Sequence, residues 1–178
     1  MCKKSVESAI KFIAKNANLH AVRDADKSVW EYDALVYATD TFQVIRTLED
    51  ISSELIHERN DQSKQAIAQF FDDKMLTGVK SCDCPDVVEL EKTIKNLLTK
   101  NKSKNIPSWQ THIVYGITNE LRVNAEYLLN ALKSTGATKM YLTGTHNPIY
   151  FFGEDTQYFL LPVCTKVKIK AGETKVIN

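Results

Sequence analysis

Charge of one sign, cysteine, long apolar runs and catalytic signatures are all scarce in this sequence. Its 23 Lys and Arg residues nearly cancel its 22 Asp and Glu residues, leaving a formal charge of +1. No global field therefore draws the chain to nucleic acid or to an anionic membrane, and any such contact needs a local basic stripe. The four cysteines, Cys2, Cys82, Cys84 and Cys164, are too few and too unevenly placed for a disulfide framework, so reduced thiols are expected. No run approaches the roughly 18 apolar residues of a membrane span. The start, Met1-Cys2-Lys3-Lys4-Ser5-Val6-Glu7, is charged at once and lacks the apolar stretch of a signal peptide. A cytoplasmic protein with no membrane contact is expected.

Signatures of catalysis are equally thin. Lys133-Ser134-Thr135-Gly136 holds the residues of a phosphate-binding loop in the wrong order, and there is no G-x-S-x-G elbow and no His-x-x-x-His pair. Asp40 beside Thr39, and Glu154-Asp155, fall in expected turns where solvated carboxylates are ordinary. Cys82-Asp83-Cys84 places two thiols close together, but a tetrahedral zinc site needs four ligands and no second pair follows; His57, His112 and His146 are scattered. The expectation is a non-enzyme with no metal and no cofactor.

What is present is enough hydrophobic material, 43% of 178 residues, for one ordinary core. Val6, Ala9, Ile10 and Ile13 recur at helical spacing, with Lys4, Lys11 and Lys15 on the opposite face. Short β-prone runs follow at Leu19 to Val22, Val29 to Tyr32, Ala34 to Ala38 and Phe42 to Leu48. From Ser52 the β signal disappears. Ile67, Phe70, Phe71 and Leu76 mark one helix over Asp61 to Met75, and Val87, Leu90, Ile94, Leu97 and Leu98 a second over Asp86 to Thr99, with breaks at Thr77-Gly78 and Cys82 to Pro85. An α-helical hairpin is expected there, ending in the polar loop Lys100 to Asn105.

After Pro107 the β signal returns at Trp109 to Ile117. A helix over Asn124 to Ser134 follows, with Thr135-Gly136 as its stop, then strands at Lys139 to Thr143, Pro148 to Phe152 and Gln157 to Val163. The organisation expected is a half-unit over 1–51, a helical insertion over 52–106, a second half-unit over 107–165 and a C-terminal extension over 166–178. Without the insertion, helix-plus-strands occurs twice, an approximate internal duplication.

The segment from Leu121 through Val123-Asn124 to Lys133, the three strand-like runs after it, and the closing Tyr158-Phe159-Leu160-Leu161-Pro162-Val163 resemble the last half-domain of the bacterial DNA polymerase sliding clamp, the β processivity factor. In the first half, Ala34 to Val44 resembles that family's Thr-Asp-Gly turn segment through Thr39 and Asp40, with Thr41 in place of the Gly and Gln43 in place of the usual Arg. The resemblance implies an α+β fold: a DNA-clamp-like domain of two helix-plus-antiparallel-sheet half-units with the helical hairpin inserted between them.

It also implies helices that face DNA through Lys4, Lys11, Lys15, Arg122 and Lys133, and a groove for short linear peptides bordered by Thr39, Val44, Leu160, Leu161, Pro162 and Val163. The function implied is that of a non-catalytic DNA replication or repair accessory protein that self-associates or docks on replication proteins. A ring would need six copies, and a short divergent relative suits a phage, plasmid or other mobile element. The other reading is a protein-interaction or inhibitor module that keeps the clamp fold without encircling DNA. On the residues alone, the lysines also fit a solvated helix face, Phe159 to Val163 a core strand, and Phe70 and Phe71 either an exposed docking site or the closure of the hairpin.

Overall fold

The computed structural model describes residues 3–19, 28–72, 79–102 and 112–177. α1 (Lys3–Leu19) forms because its apolar residues share one face: Val6, Ala9, Ile10, Ile13 and Ala17 are all fully buried. An antiparallel meander follows, β1 (Val29–Tyr32), β2 (Leu35–Thr39) and β3 (Gln43–Thr47). The β1–β2 hairpin closes on two residues of positive φ, Asp33 (51°) and Ala34 (59°). That left-handed pair matches the twist of the flanking strands.

The second half repeats the plan. α4 (Ala125–Thr135) is capped by Asn124, whose side chain accepts from the N–H groups of Glu126 and Tyr127, and ends at Gly136, whose φ of 64° and N–H bond to Leu132 O form the left-handed stop. β7 (Lys139–Leu142), β8 (Ile149–Phe152) and β9 (Thr156–Leu160) form the second meander. β3 and β9 pair antiparallel about Ile45 opposite Tyr158, joining the meanders into one seven-stranded sheet of order β1-β2-β3-β9-β8-β7-β4. The α+β class and the two helix-plus-sheet halves are those expected.

Alternation divides the sheet into two faces. Val36, Ala38, Ile45, Met140, Ile149, Phe151, Tyr158 and Leu160 pack with α1, α4 and α3 (Val87–Lys102) in the main core. Trp30, Tyr37, Val44, Tyr150 and Phe159 face the other way and meet α2 (Asp61–Ala68) and the 3-10 turn Gln69–Phe71.

This arrangement corrects the expectation for the inserted segment. In place of a hairpin, its two helices lie on opposite faces of the sheet, because α2 and the 3-10 turn after it carry Ile67, Ala68 and Phe71 to the Trp30 cluster while α3 carries Leu90 and Ile94 to α4. Between them runs an unexpected strand, β4 (Lys80–Asp83), paired with β7 at the sheet edge. Phe71 is buried against Tyr37 and Phe159, and Phe70 stays 41% exposed with its ring 5.4 Å from Phe159.

The second sheet has the order β10-β5-β6, from β5 (His112–Gly116), β6 (Arg122–Asn124) and β10 (Thr174–Ile177). Residues 166–177 are therefore more than an appendage, since their last strand completes this sheet beside α3. The run Leu19 to Val22, the start of the Trp109 strand and the end of the Lys100 loop extend outside the described residues. Among the described residues no helix is long and apolar enough to cross a membrane.

Candidate functional site

The turn between β2 and β3 is held by a dense set of side-chain hydrogen bonds. Asp40 is fully buried; its Oδ1 accepts from the N–H groups of Phe42 (3.0 Å) and Gln43 (3.1 Å), and its Oδ2 accepts from Gln43 Nε2 (2.6 Å). Thr39 Oγ1 donates to Gln43 O (2.9 Å) and accepts from Thr41 N–H (3.1 Å). These bonds hold Thr41 at a φ of 77°, a left-handed backbone in a β-branched residue at the place where the resembling turn has glycine. Gln43 is fully buried and brings no charge. Its Oε1 accepts from the Tyr158 hydroxyl, which in turn accepts from Asn130 Nδ2 on α4 (3.1 Å).

Tyr127, also on α4, is hydrogen-bonded to Asp40. Burial first, then the negative charges of Asp40 and Glu126, push its phenol well above the usual tyrosine range. Burial also pushes Tyr158 up, so both phenols stay protonated and serve as donors. The turn is thus anchored to α4, and Phe42 projects from it 45% exposed.

The expected groove residues separate into two sets. Thr39, Val44 and Leu160 are buried, Val44 in the outer cluster and Leu160 in the main core, so none of them offers surface. Leu161 is 37% exposed and Pro162 and Val163 are half-buried. Phe42 was missed by sequence reasoning and belongs with them, since Leu161 N–H donates to Phe42 O (2.8 Å) and extends the β3–β9 ladder by one pair. The signal was available: Phe42 lies two residues before Val44 and so shares its strand face. Phe42, Leu161, Pro162 and Val163 form an apolar lip at the end of the central strand pair.

Of the expected DNA-facing residues, Lys11 and Lys133 are held in ion pairs and Arg122 is bonded within its own turn. Lys11 Nζ lies 2.6 Å from Glu7 Oε1. Lys133 Nζ lies 2.7 Å from Glu91 Oε2, and Lys95 Nζ lies 2.9 Å from the other oxygen of the same carboxylate. Arg122 is on β6, where it donates to the carbonyls of Asn119 (2.9 Å) and Glu120 (3.3 Å) and ties its own turn. Lys15 is exposed on α1, and the side chain of Lys4 lies outside the described residues.

The hydrogen bonds from Lys133 and Lys95 lower the Glu91 carboxyl to about 2. A depressed carboxyl stabilises the folded state above its unfolded value near 4.5, and that contribution fades as pH falls toward 2. Hydrogen exchange is therefore expected to show α3 loosening from α4 over that window in the parent chain. Glu91→Gln should flatten the pH dependence.

Among the described residues no group of three His, Cys, Asp or Glu side chains is placed to hold a metal ion. Burial, followed by the neighbouring Cys82 and Asp83, pushes the Cys84 thiol up to about 12, which leaves it a poor nucleophile at neutral pH. Asp40, one of the carboxyl groups considered for acid–base chemistry, spends both oxygens on the turn.

No family model matches this sequence, and no curated protein matches it. Solved structures similar to it include the beta subunit of DNA polymerase from Streptococcus pyogenes (12% identity, TM-score 0.48, covering 93% of this chain and 65% of that one). The Helicobacter pylori beta clamp bound to a DNA ligase peptide is similar at 12% identity and a TM-score of 0.45, over 87% of this chain and 63% of that one. DNA polymerase III subunit beta from Borrelia burgdorferi, in complex with a natural product, is similar at 10% identity and a TM-score of 0.45, over 92% and 63%. The chain spans less than two thirds of the length of each of these.

Proposed function

We propose that this chain is a non-catalytic, clamp-like accessory protein of DNA replication or repair that works by docking on a partner protein through the lip of Phe42, Leu161, Pro162 and Val163. The observation that carries the docking step is the pair at its centre: Phe42, exposed on a turn held in place by the buried bonds of Asp40 and Gln43, and the exposed Leu161, whose N–H donates to Phe42 O. A preorganised apolar edge loses little freedom on binding. The replication setting rests on the sequence resemblance and on the duplicated helix-plus-meander plan.

A second reading, an interaction or inhibitor module that never encircles DNA, is favoured by the helix layer. Glu91 pairs with both Lys133 and Lys95 there, and Glu7 with Lys11, so phosphate contacts at these lysines would compete with existing ion pairs.

Fluorescence anisotropy of labelled duplex DNA across a salt series tests the choice. The docking proposal expects weak binding at low salt that vanishes as salt rises and is indifferent to Leu161→Asp. Tight duplex binding that persists at physiological salt and is abolished by Lys15→Glu with Lys133→Glu would overturn it in favour of a DNA-encircling role.

A further inference from the structure

Between α1, α3 and α4 lies an open cavity of about 290 Å³ that the docking reading does not use. Its floor is apolar, from Phe12, Ile94, Leu98 and Leu129. Three charged lining groups, Glu91, Lys95 and Lys133, satisfy one another. Glu126 does not share in this. Its carboxyl group lines the same cavity and has no hydrogen bond or ion pair to any described residue. Asn130, beside it, spends its Nδ2 on Tyr158 and leaves its amide oxygen as an acceptor. The cavity thus pairs an apolar floor with an acid that makes no hydrogen bond or ion pair and an amide acceptor.

The geometry points to a binding site for a small amphipathic amine, an aromatic or alkyl body bearing one ammonium group, with the body on Phe12, Ile94, Leu98 and Leu129 and the ammonium on Glu126. Charge complementarity selects the cation. An anionic ligand would meet the Glu126 carboxylate and would have to compete with Glu91 for the two lysines. A neutral ligand would cover the floor and leave the desolvated carboxylate unpaired. Burial raises the Glu126 carboxyl above its usual range, with His112 acting in the opposite direction. An ammonium supplies a charge-assisted donor to that oxygen, the stronger class of hydrogen bond.

Three probes with one indole body separate the contributions: tryptamine, tryptophol and indole-3-propionate, titrated calorimetrically into the full chain at about pH 8, where an ordinary alkylammonium is still charged. Tryptamine is expected to bind at least about tenfold more tightly than tryptophol, with indole-3-propionate weakest. Glu126→Gln, checked for an unchanged melting temperature, should bring tryptamine to the level of tryptophol. Leu129→Trp, which fills the floor, should abolish binding of both. Equal affinities for the three probes, a tryptamine preference that survives Glu126→Gln, or no tryptamine binding at millimolar concentration would each overturn the assignment.

Discussion

Removing residues 166–178 is expected to cost the chain a large part of its stability. β10 is the outer partner of β5, with Thr174 opposite Tyr115 and Ile177 opposite His112, so its loss strips a four-residue ladder from strands whose Ile113 and Val114 are fully buried. The segment leading to it brings Ile169, 2% exposed, into contact with Gly116. That contact is close enough that a Cβ on Gly116 would sit 2.3 Å from Lys170 O. Two backbone bonds, Gly116 N–H to Glu173 O (2.9 Å) and Gly172 N–H to Gly116 O (2.8 Å), fasten the crossing.

Burial of one large aliphatic side chain is worth about 1.5–3 kcal/mol. With Ile169 lost and Ile113 and Val114 uncovered, the total should exceed about 4 kcal/mol, against a typical domain stability of about 5–15 kcal/mol. Urea unfolding of the truncated chain should show a midpoint far below that of the parent. A cooperative transition at the parent midpoint would mean that β10 is a passive appendage.

Asp40→Asn should have the second largest effect, a loss of about 3 kcal/mol or more. The native carboxyl group accepts from two backbone N–H groups, from Gln43 Nε2 and from Tyr127 in a fully buried position. An amide turns one of those oxygens into a donor that faces another donor. Gln43 cannot answer by flipping, because its Oε1 already accepts from Tyr158. At least one buried donor is then orphaned, at about 1–3 kcal/mol each, and the bonds that hold Thr41 at positive φ weaken with it. Tyr158→Phe, which leaves Asp40 intact, should cost less, about 1–2 kcal/mol. Thermal melts of the two variants side by side test the order, and a Tyr158→Phe loss larger than that of Asp40→Asn would show that the network is anchored from α4 instead of from the turn.

The elements that were legible in the sequence are those whose signals are local. The Asn124 cap, the Gly136 stop and the i, i+3, i+4 spacing of Val6, Ile10 and Ile13 lie within a few residues of the structure they specify. β4 was illegible because Lys80-Ser81-Cys82-Asp83 carries no apolar alternation; an edge strand with exposed side chains needs none. β10 was missed because its partner β5 lies some sixty residues earlier, and no local pattern marks so distant a pairing. Periodicity also gave α2 and α3 one apolar face each, but not what it packs against, and they proved to cover opposite faces of the sheet.

At the candidate site, residue type alone could not separate buried Val44 and Leu160 from the lip. Leu161 is exposed because the ladder ends there, a property of the fold and not of leucine. The capture of Lys133 by Glu91 was hidden for the same reason, since the two residues are far apart in the chain and meet only when α3 packs on α4.

The claim that this chain acts through its lip is tested most directly by selecting short random peptides displayed on phage against the intact protein, with the Phe42→Asp, Leu161→Asp double variant as the counter-target. The account predicts apolar linear peptides that bind the parent and lose about tenfold or more affinity for the variant, while the two proteins melt within a few degrees of each other. Peptides that bind both proteins equally, or no enrichment at all, would contradict it.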